Sequence, residues 1–172
     1  KNIKLLNNKP LLAYSIEHAI NSKYINRVIV STDSEQYADI AKQYGAEIPF
    51  IRPENISGDF ALDLDVFEHA LSYLQKSEGY VPNIVVQLRP TYPIREIYDI
   101  DNMIELLIKN EHADSVRCIV KADETPYKMW KKKDGNLIAP VLNTIAEAYN
   151  MPRQSLPTVY YQNACIDVIR TT

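Results

Sequence analysis

Two short runs of contiguous branched apolar residues, Val28-Ile29-Val30 and Ile84-Val85-Val86, constrain this chain more than any other feature. A strand with one face in water alternates apolar and polar side chains. A run without alternation needs cover on both faces, as in a parallel sheet flanked by helices. Helical periodicity follows each run. After Arg27 to Asp33, Asp33 with Gln36 is suited to cap a helix through Tyr44, and Gly45 to stop it. After Ile84 to Leu88, a helical pattern runs from Asp99 to Leu107. Leu12, Ile16, Ala19 and Ile20 form an earlier stripe with Pro10 in its first turn, and Leu62, Val66, Phe67, Ala70, Leu71 and Leu74 form another that ends near Gly79. Ala46 to Ile51 and Ser115 to Val120 read as further strands, and Lys133-Asp134-Gly135-Asn136 as a hairpin turn. Strand and helix alternate with few residues between them, which predicts an α/β sandwich with a mainly parallel sheet.

The 172 residues fit a single domain. Regularity fades in the later part, so residues 122–160 are expected to form an insert or dimer arm, and Tyr160 to Ile169 an arm or hairpin beside the main sheet. Nineteen Lys and Arg against 22 Asp and Glu leave a formal charge of -3, which disfavours broad nucleic-acid or anionic-membrane binding but permits a local phosphate pocket. Cys118 and Cys165 sit in apolar runs outside any CxxC, and are expected to be buried free thiols. No apolar run reaches 18 residues, so the expected setting is cytoplasmic.

Ligands of an open α/β sheet sit outside the carboxyl ends of its strands, where helix amino termini present free N-H groups. Three segments occupy such positions: Ser31-Thr32-Asp33, Ser57-Gly58-Asp59, and the loop from Arg89 to Arg95. Pro90 and Pro93 stiffen that loop, so Arg89 and Arg95 can present two guanidinium forks to a carboxylate or phosphate. The same arginines would serve equally as surface partners of Asp or Glu. Asp59, Asp63 and Asp65 lie at or near a helix start, where an acid is favourable without any ligand. Arg52 and Arg153 give a weaker version of the anion signal. His18 and His69 fall in helices as boundary or solvated residues and make no triad with His112, and Trp130 with Tyr127 reads as aromatic packing before a ligand shelf. GxGxxG, P-loop, HExxH and GxSxG motifs are absent.

The segments KNIKLLNNKPLLAYSIEHA at 1–19, RVIVSTDSEQYADIAKQYGAEIPFIRP at 27–53, GDFALDLDVFEHAL at 58–71, QLRPTYPIR at 87–95 and PRQSLPTVYYQNACIDVI at 152–169 occur in an order and spacing that resembles the acylneuraminate cytidylyltransferases. The resemblance implies a Rossmann-like nucleotidyltransferase three-layer sandwich, usually a homodimer. It implies attack of an acidic nine-carbon sugar on the α-phosphate of CTP, with Mg²⁺ present, giving a CMP-sugar and pyrophosphate. By motif match it places Lys1, Asn2, Arg52 and Asp59 on the nucleotide side. Arg89, Thr91, Tyr92 and Arg95 would face the sugar, joined by Arg153, Gln154 and Asn163. It assigns no catalytic group and no metal ligand within the chain. The family's first strand and triphosphate loop would precede Lys1, and its later metal-binding carboxylates would follow Thr172.

The chain departs from the family at several positions. QPTSPLR becomes RPTYPIR, with Arg89 for Gln and Tyr92 for Ser, and NGAIYI becomes NACIDV, with Asp167 for an aromatic residue. Leu62 stands where a Ser is frequent. These changes leave the sugar and the nucleotide open, so an enzyme with another nucleotide or sugar, or a noncatalytic binding scaffold, stands beside the sialic or legionaminic-type reading.

Overall fold

The computed structural model describes residues 1–171; Thr172 lies outside the described residues. Contacts within the chain divide it into two compact units, residues 1–117 with 164–171, and residues 118–163.

The first unit opens with a hairpin that the periodicity did not indicate, β1 (Leu5–Leu6) and β2 (Lys9–Pro10). Asn7 and Asn8 turn it with φ of 48° and 61°, the left-handed pair that a two-residue hairpin needs and that Asn tolerates. Helix α1 (Leu11–Ile20) follows directly from Pro10 and buries Leu12, Ala13, Ile16 and Ala19. Leu12 and Ile16 pack with Ala41 and Ala46 in one core cluster; each large side chain removed from water in this way contributes roughly 1.5–3 kcal/mol.

Helix α2 (Glu35–Gln43) is capped by Ser34, whose Oγ accepts from Tyr37 N at 3.4 Å. The cap therefore sits one residue after the expected Asp33. The shift frees the Asp33 carboxylate to approach Arg52, at 3.9 Å. Segments 27–33 and 46–52 run parallel: Glu47 N donates to Val28 O at 2.7 Å, Val30 N to Glu47 O at 3.1 Å, and Arg52 N to Thr32 O at 2.8 Å. Helix α3 (Asp63–Glu78) ends at Gly79, which closes it with φ of 64°. On its inner side His69 packs edge-on to Phe50, ring centroids 4.6 Å apart, so this histidine is an aromatic packing residue.

Next come β3 (Ile84–Leu88), α4 (Ile97–Lys109) and β4 (Ser115–Lys121). Helix α4 docks where α1 ends: Ser22 Oγ donates to Asp101 at 2.6 Å, and Lys23 and Tyr24 both reach Glu105. The last strand, β7 (Tyr160–Arg170), is not an arm beside the sheet. Its second half pairs antiparallel with β3, Gln87 opposite Asp167 and Leu88 opposite Ile166, and the strand order is β3-β7-β4. The α/β class stands, and its pairing is mixed: parallel at Ile29 and Glu47, antiparallel between β3 and β7.

Both contiguous apolar runs end up only half-buried. Val28, Ile29 and Val30, and likewise Ile84, Val85 and Val86, line one cavity of about 900 Å³. Backbone groups of Val28, Val30 and Thr32 bond toward segment 46–52, so by the period-two geometry of an extended chain the opposite edge, at Ile29 and Ser31, faces the cavity. Ser31 Oγ there is buried without a hydrogen-bond partner.

Within β7, Ala164 has φ of 57°. An L-residue in this region carries about 1–2 kcal/mol of strain. The motif of the family that the sequence resembles reads NGA where this chain reads NAC, which would put glycine at the strained position. Ala164→Gly is expected to stabilise the protein by roughly 0.5–1 kcal/mol, the relief of strain less the extra unfolded-chain entropy of glycine. A urea midpoint that stays put or falls would show that the conformation is unstrained.

The second unit, which contains the expected insert 122–160, is built around the hairpin of β5 (Trp130–Lys132) and β6 (Ile138–Pro140). Lys133 N donates to Leu137 O at 2.8 Å, and Gly135 takes φ of 65° in the turn that the sequence marks. Trp130 lies against Tyr149, ring centroids 4.8 Å apart, rather than on Tyr127.

Candidate active site

The loop after β3 begins with Arg89, and almost everything around it holds that residue in place. Its Nη1 donates to Asp167 Oδ2 at 3.0 Å, and its Nη2 pairs with Asp63. Asp167 sits on β7 with 2% exposure, and Arg117 of β4 approaches its other oxygen at 3.8 Å. A buried carboxylate is tolerated only when paired, and Asp167 lies between two guanidiniums. Burial opposes the charge on Arg89, but the bonds and attraction from Asp63 and then Asp167 more than offset it and hold its pKa above the ordinary arginine value.

Arg95, at the other end of the loop, is turned inward and does not line the cavity. It is buried, and its guanidinium donates to Ser15 Oγ at 2.9 Å, Arg89 O at 2.8 Å and Cys165 O at 3.2 Å. Arg89 O also accepts from Tyr92 N at 3.1 Å, which closes the turn. Arg95 thus ties α1, β7 and the loop together and fixes the backbone from which the Arg89 side chain springs. It is a positioning residue. His18, on α1, is held below its usual pKa by burial first and by the Arg95 cation second, and Nδ1 is buried without a hydrogen-bond partner.

Arg89 lines the cavity together with Asn2, Asp33, Arg52 and Asp63. Asn2 Oδ1 is buried without a hydrogen-bond partner, while its carbonyl accepts from Leu12 N at 2.9 Å. Arg52 Nε donates to Ser57 Oγ at 3.1 Å. The Lys1 amino group donates to Tyr37 Oη at 2.8 Å and does not line the cavity. Asp59 is exposed and also lies outside it, because the turn before α3 carries it into solvent; Asp63, one turn of chain later, is the acid that reaches the site. Thr91 and Tyr92 are exposed on the loop. In the second unit Arg153 and Gln154 are exposed on a short 3-10 turn, and Asn163 is half-buried on β7.

Of the residues expected around one crevice outside the strand ends, Asp33, Asp63 and Arg89 line the cavity, and Asp59 and Arg95 do not. Sequence reasoning left Asp167 without a role and missed Arg117. The signal was present, since an acid inside the apolar run Cys165-Ile166-Asp167-Val168-Ile169 demands a buried cation. The two departures from the family motif, Arg89 for Gln and Asp167 for an aromatic residue, prove to be bonded to each other.

Residues 1–138 match the cytidylyltransferase family. The chain belongs to this family. It is 39% identical over 120 residues to an N-acylneuraminate cytidylyltransferase of Escherichia coli O18:K1:H7, a match covering 70% of the chain and 26% of that protein. It is 31% identical to a CMP-N,N'-diacetyllegionaminic acid synthase of Legionella pneumophila, over 87% of the chain and 63% of that protein. The chain therefore spans about a quarter to under two thirds of these cytidylyltransferase relatives. A CMP:2-keto-3-deoxy-manno-octonic acid synthetase solved with CTP superposes with a TM-score of 0.65 over 99% of the chain and 67% of that structure, at 13% identity, which establishes the shared nucleotidyltransferase fold.

The cations lining this cavity are Arg27, Arg52 and Arg89, and Arg27 is paired with Glu47 and Glu78. Among the described residues no group of three or more His, Cys, Asp or Glu is placed to hold a metal ion, and Asp63 and Asp167 are turned to guanidiniums. In this arrangement neither carboxylate is turned toward a metal position. Also among the described residues, no helix is long and apolar enough to cross a membrane.

Proposed function

We propose that this chain activates a nonulosonic acid of the sialic or legionaminic type as its CMP-sugar, using CTP. The observation that carries the reading is Arg89, a fork held by buried Asp167 and a rigid loop at a cavity that also receives Arg52. Planar guanidinium forks match carboxylates, and an acidic sugar brings one. In the reaction the anomeric hydroxyl oxygen bonds to the α-phosphorus of CTP. The bond from that phosphorus to the bridging oxygen breaks, pyrophosphate leaves with the electron pair, and the hydroxyl proton passes to a base outside the assigned residues. Such displacement depends on positioning and charge stabilisation. Arg89 would orient the sugar. Arg52 and Asn2, which line the cavity, would serve the nucleotide side, and Lys1 and Asp59, which the resemblance assigns to the same side, lie outside the cavity. Thr91 and Tyr92 would border the sugar, and Arg153, Gln154 and Asn163 are the candidates from the second unit. A homodimer working in the cytoplasm, with Mg²⁺ supplied alongside CTP, belongs to the same proposal.

Incubation with CTP, Mg²⁺ and N-acetylneuraminate, and then with other nucleotides and acidic sugars, is expected to release pyrophosphate and yield a CMP-sugar. Product only with another nucleotide would reassign the donor. No product from any pair would leave a binding scaffold as the correct reading.

A further inference from the structure

Arg89 has two acidic partners of opposite character. Asp167 is 3% exposed at its side chain and belongs to a strand in the middle of the sheet order. Asp63 is 58% exposed at its side chain and stands in the first turn of α3. An exposed pair of this kind contributes little, because water solvates both charges when it opens. Release also leaves Asp63 well placed, since a carboxylate is favourable at a helix amino terminus.

The charges make the same distinction. The ion pairs of Arg89 and Asp167 join two cations, Arg89 and Arg117, to two anions, Asp63 and Asp167. With Asp63 turned away, these pairs lose one negative charge and the Arg89 Nη2 edge is vacated, which corresponds to a single carboxylate. The bonds from Arg89 Nη1 to Asp167 and from Arg95 to the Arg89 carbonyl hold the residue while that exchange occurs.

We infer that Asp63 is a displaceable counter-ion that occupies Arg89 until the carboxylate of the acidic sugar replaces it, with Asp167 as the fixed anchor. The inference rests on the sugar-activating reading above and adds a specificity-determining residue to it. Asp63 sets a threshold: only a ligand carrying its own carboxylate exchanges with it at little net electrostatic change, whereas a neutral sugar would leave the pair closed.

The test compares wild type with Asp63→Asn and Asp167→Asn, using N-acetylneuraminate and its methyl ester as probes. Binding to the full chain is followed by calorimetry or ligand-observed NMR, and turnover by pyrophosphate release. Asp63→Asn is expected to tighten N-acetylneuraminate about two- to fivefold, the factor for one exposed ion pair, with a fall in the sugar KM larger than any change in kcat and no gain for the ester. Asp167→Asn is expected to weaken the acid roughly tenfold or more and to narrow the gap between acid and ester. Unchanged, weaker or undetectable acid binding in Asp63→Asn overturns the inference, as does an equal gain for the ester. Product formation by wild type with an unmoved sugar KM in Asp63→Asn sinks the counter-ion alone; absence of product with every pair sinks the activity itself.

Discussion

Arg95→Ala is expected to destabilise the protein by about 3–5 kcal/mol, a large share of the 5–15 kcal/mol that holds a typical domain together. The change strips donors from Ser15 Oγ, Cys165 O and Arg89 O, all at 3.2 Å or less from the guanidinium. Arg89 O keeps its bond from Tyr92 N, but a buried acceptor left without a partner costs about 1–3 kcal/mol, while the removed charge returns part of its own desolvation cost. Arg95→Lys should fall between wild type and alanine, because an ammonium cannot serve three acceptors arranged around a planar fork. Urea unfolding measures both variants. A loss below about 1 kcal/mol for alanine would mean that water or a neighbouring group takes over the acceptors, and that Arg95 does not anchor the loop.

Elements governed by local periodicity were legible in the sequence. Helix α3 emerged between its apolar stripe and Gly79, and the β5-β6 hairpin formed around Lys133-Asp134-Gly135-Asn136. The first hairpin escaped because a two-residue strand has no period to detect, although adjacent Asn7 and Asn8 were a usable turn signal. Where β7 goes was a tertiary matter. Nothing local distinguishes a strand that pairs with β3 from one that extends as an arm, and the decisive register, Gln87 opposite Asp167, joins residues 80 positions apart. The site followed the same division. The stiff loop and its two arginines were visible, but their roles separated only in three dimensions: the arginine that meets α1 and β7 went inside, and the one beside α3 remained at the cavity. Asp59 lies outside the cavity for a local reason, since the chain turns at Gly58 and enters α3 only at Asp63, so the acid that reaches Arg89 is the one in the first helical turn.

Arg89→Ala is expected to raise the KM for the acidic sugar by roughly 10- to 100-fold while changing nucleotide binding by less than about threefold. The first range corresponds to one charge-assisted bidentate contact of about 1.5–3 kcal/mol, and the second to the absence of direct contact with CTP. The variant also removes the cation opposite buried Asp167 and leaves that carboxylate to Arg117, so part of any loss could come from a shifted strand. Two measurements separate the causes. A strand displacement would lower the urea midpoint and disturb CTP and sugar alike, whereas loss of a carboxylate contact acts on the sugar acid and spares its methyl ester. Arg89→Gln restores the amide that the family commonly carries at this position and should recover packing without recovering the charge. If alanine and glutamine weaken CTP as much as sugar, Arg89 belongs to the nucleotide side of the cavity, and the acidic sugar must find another cation, such as Arg52 or Arg27.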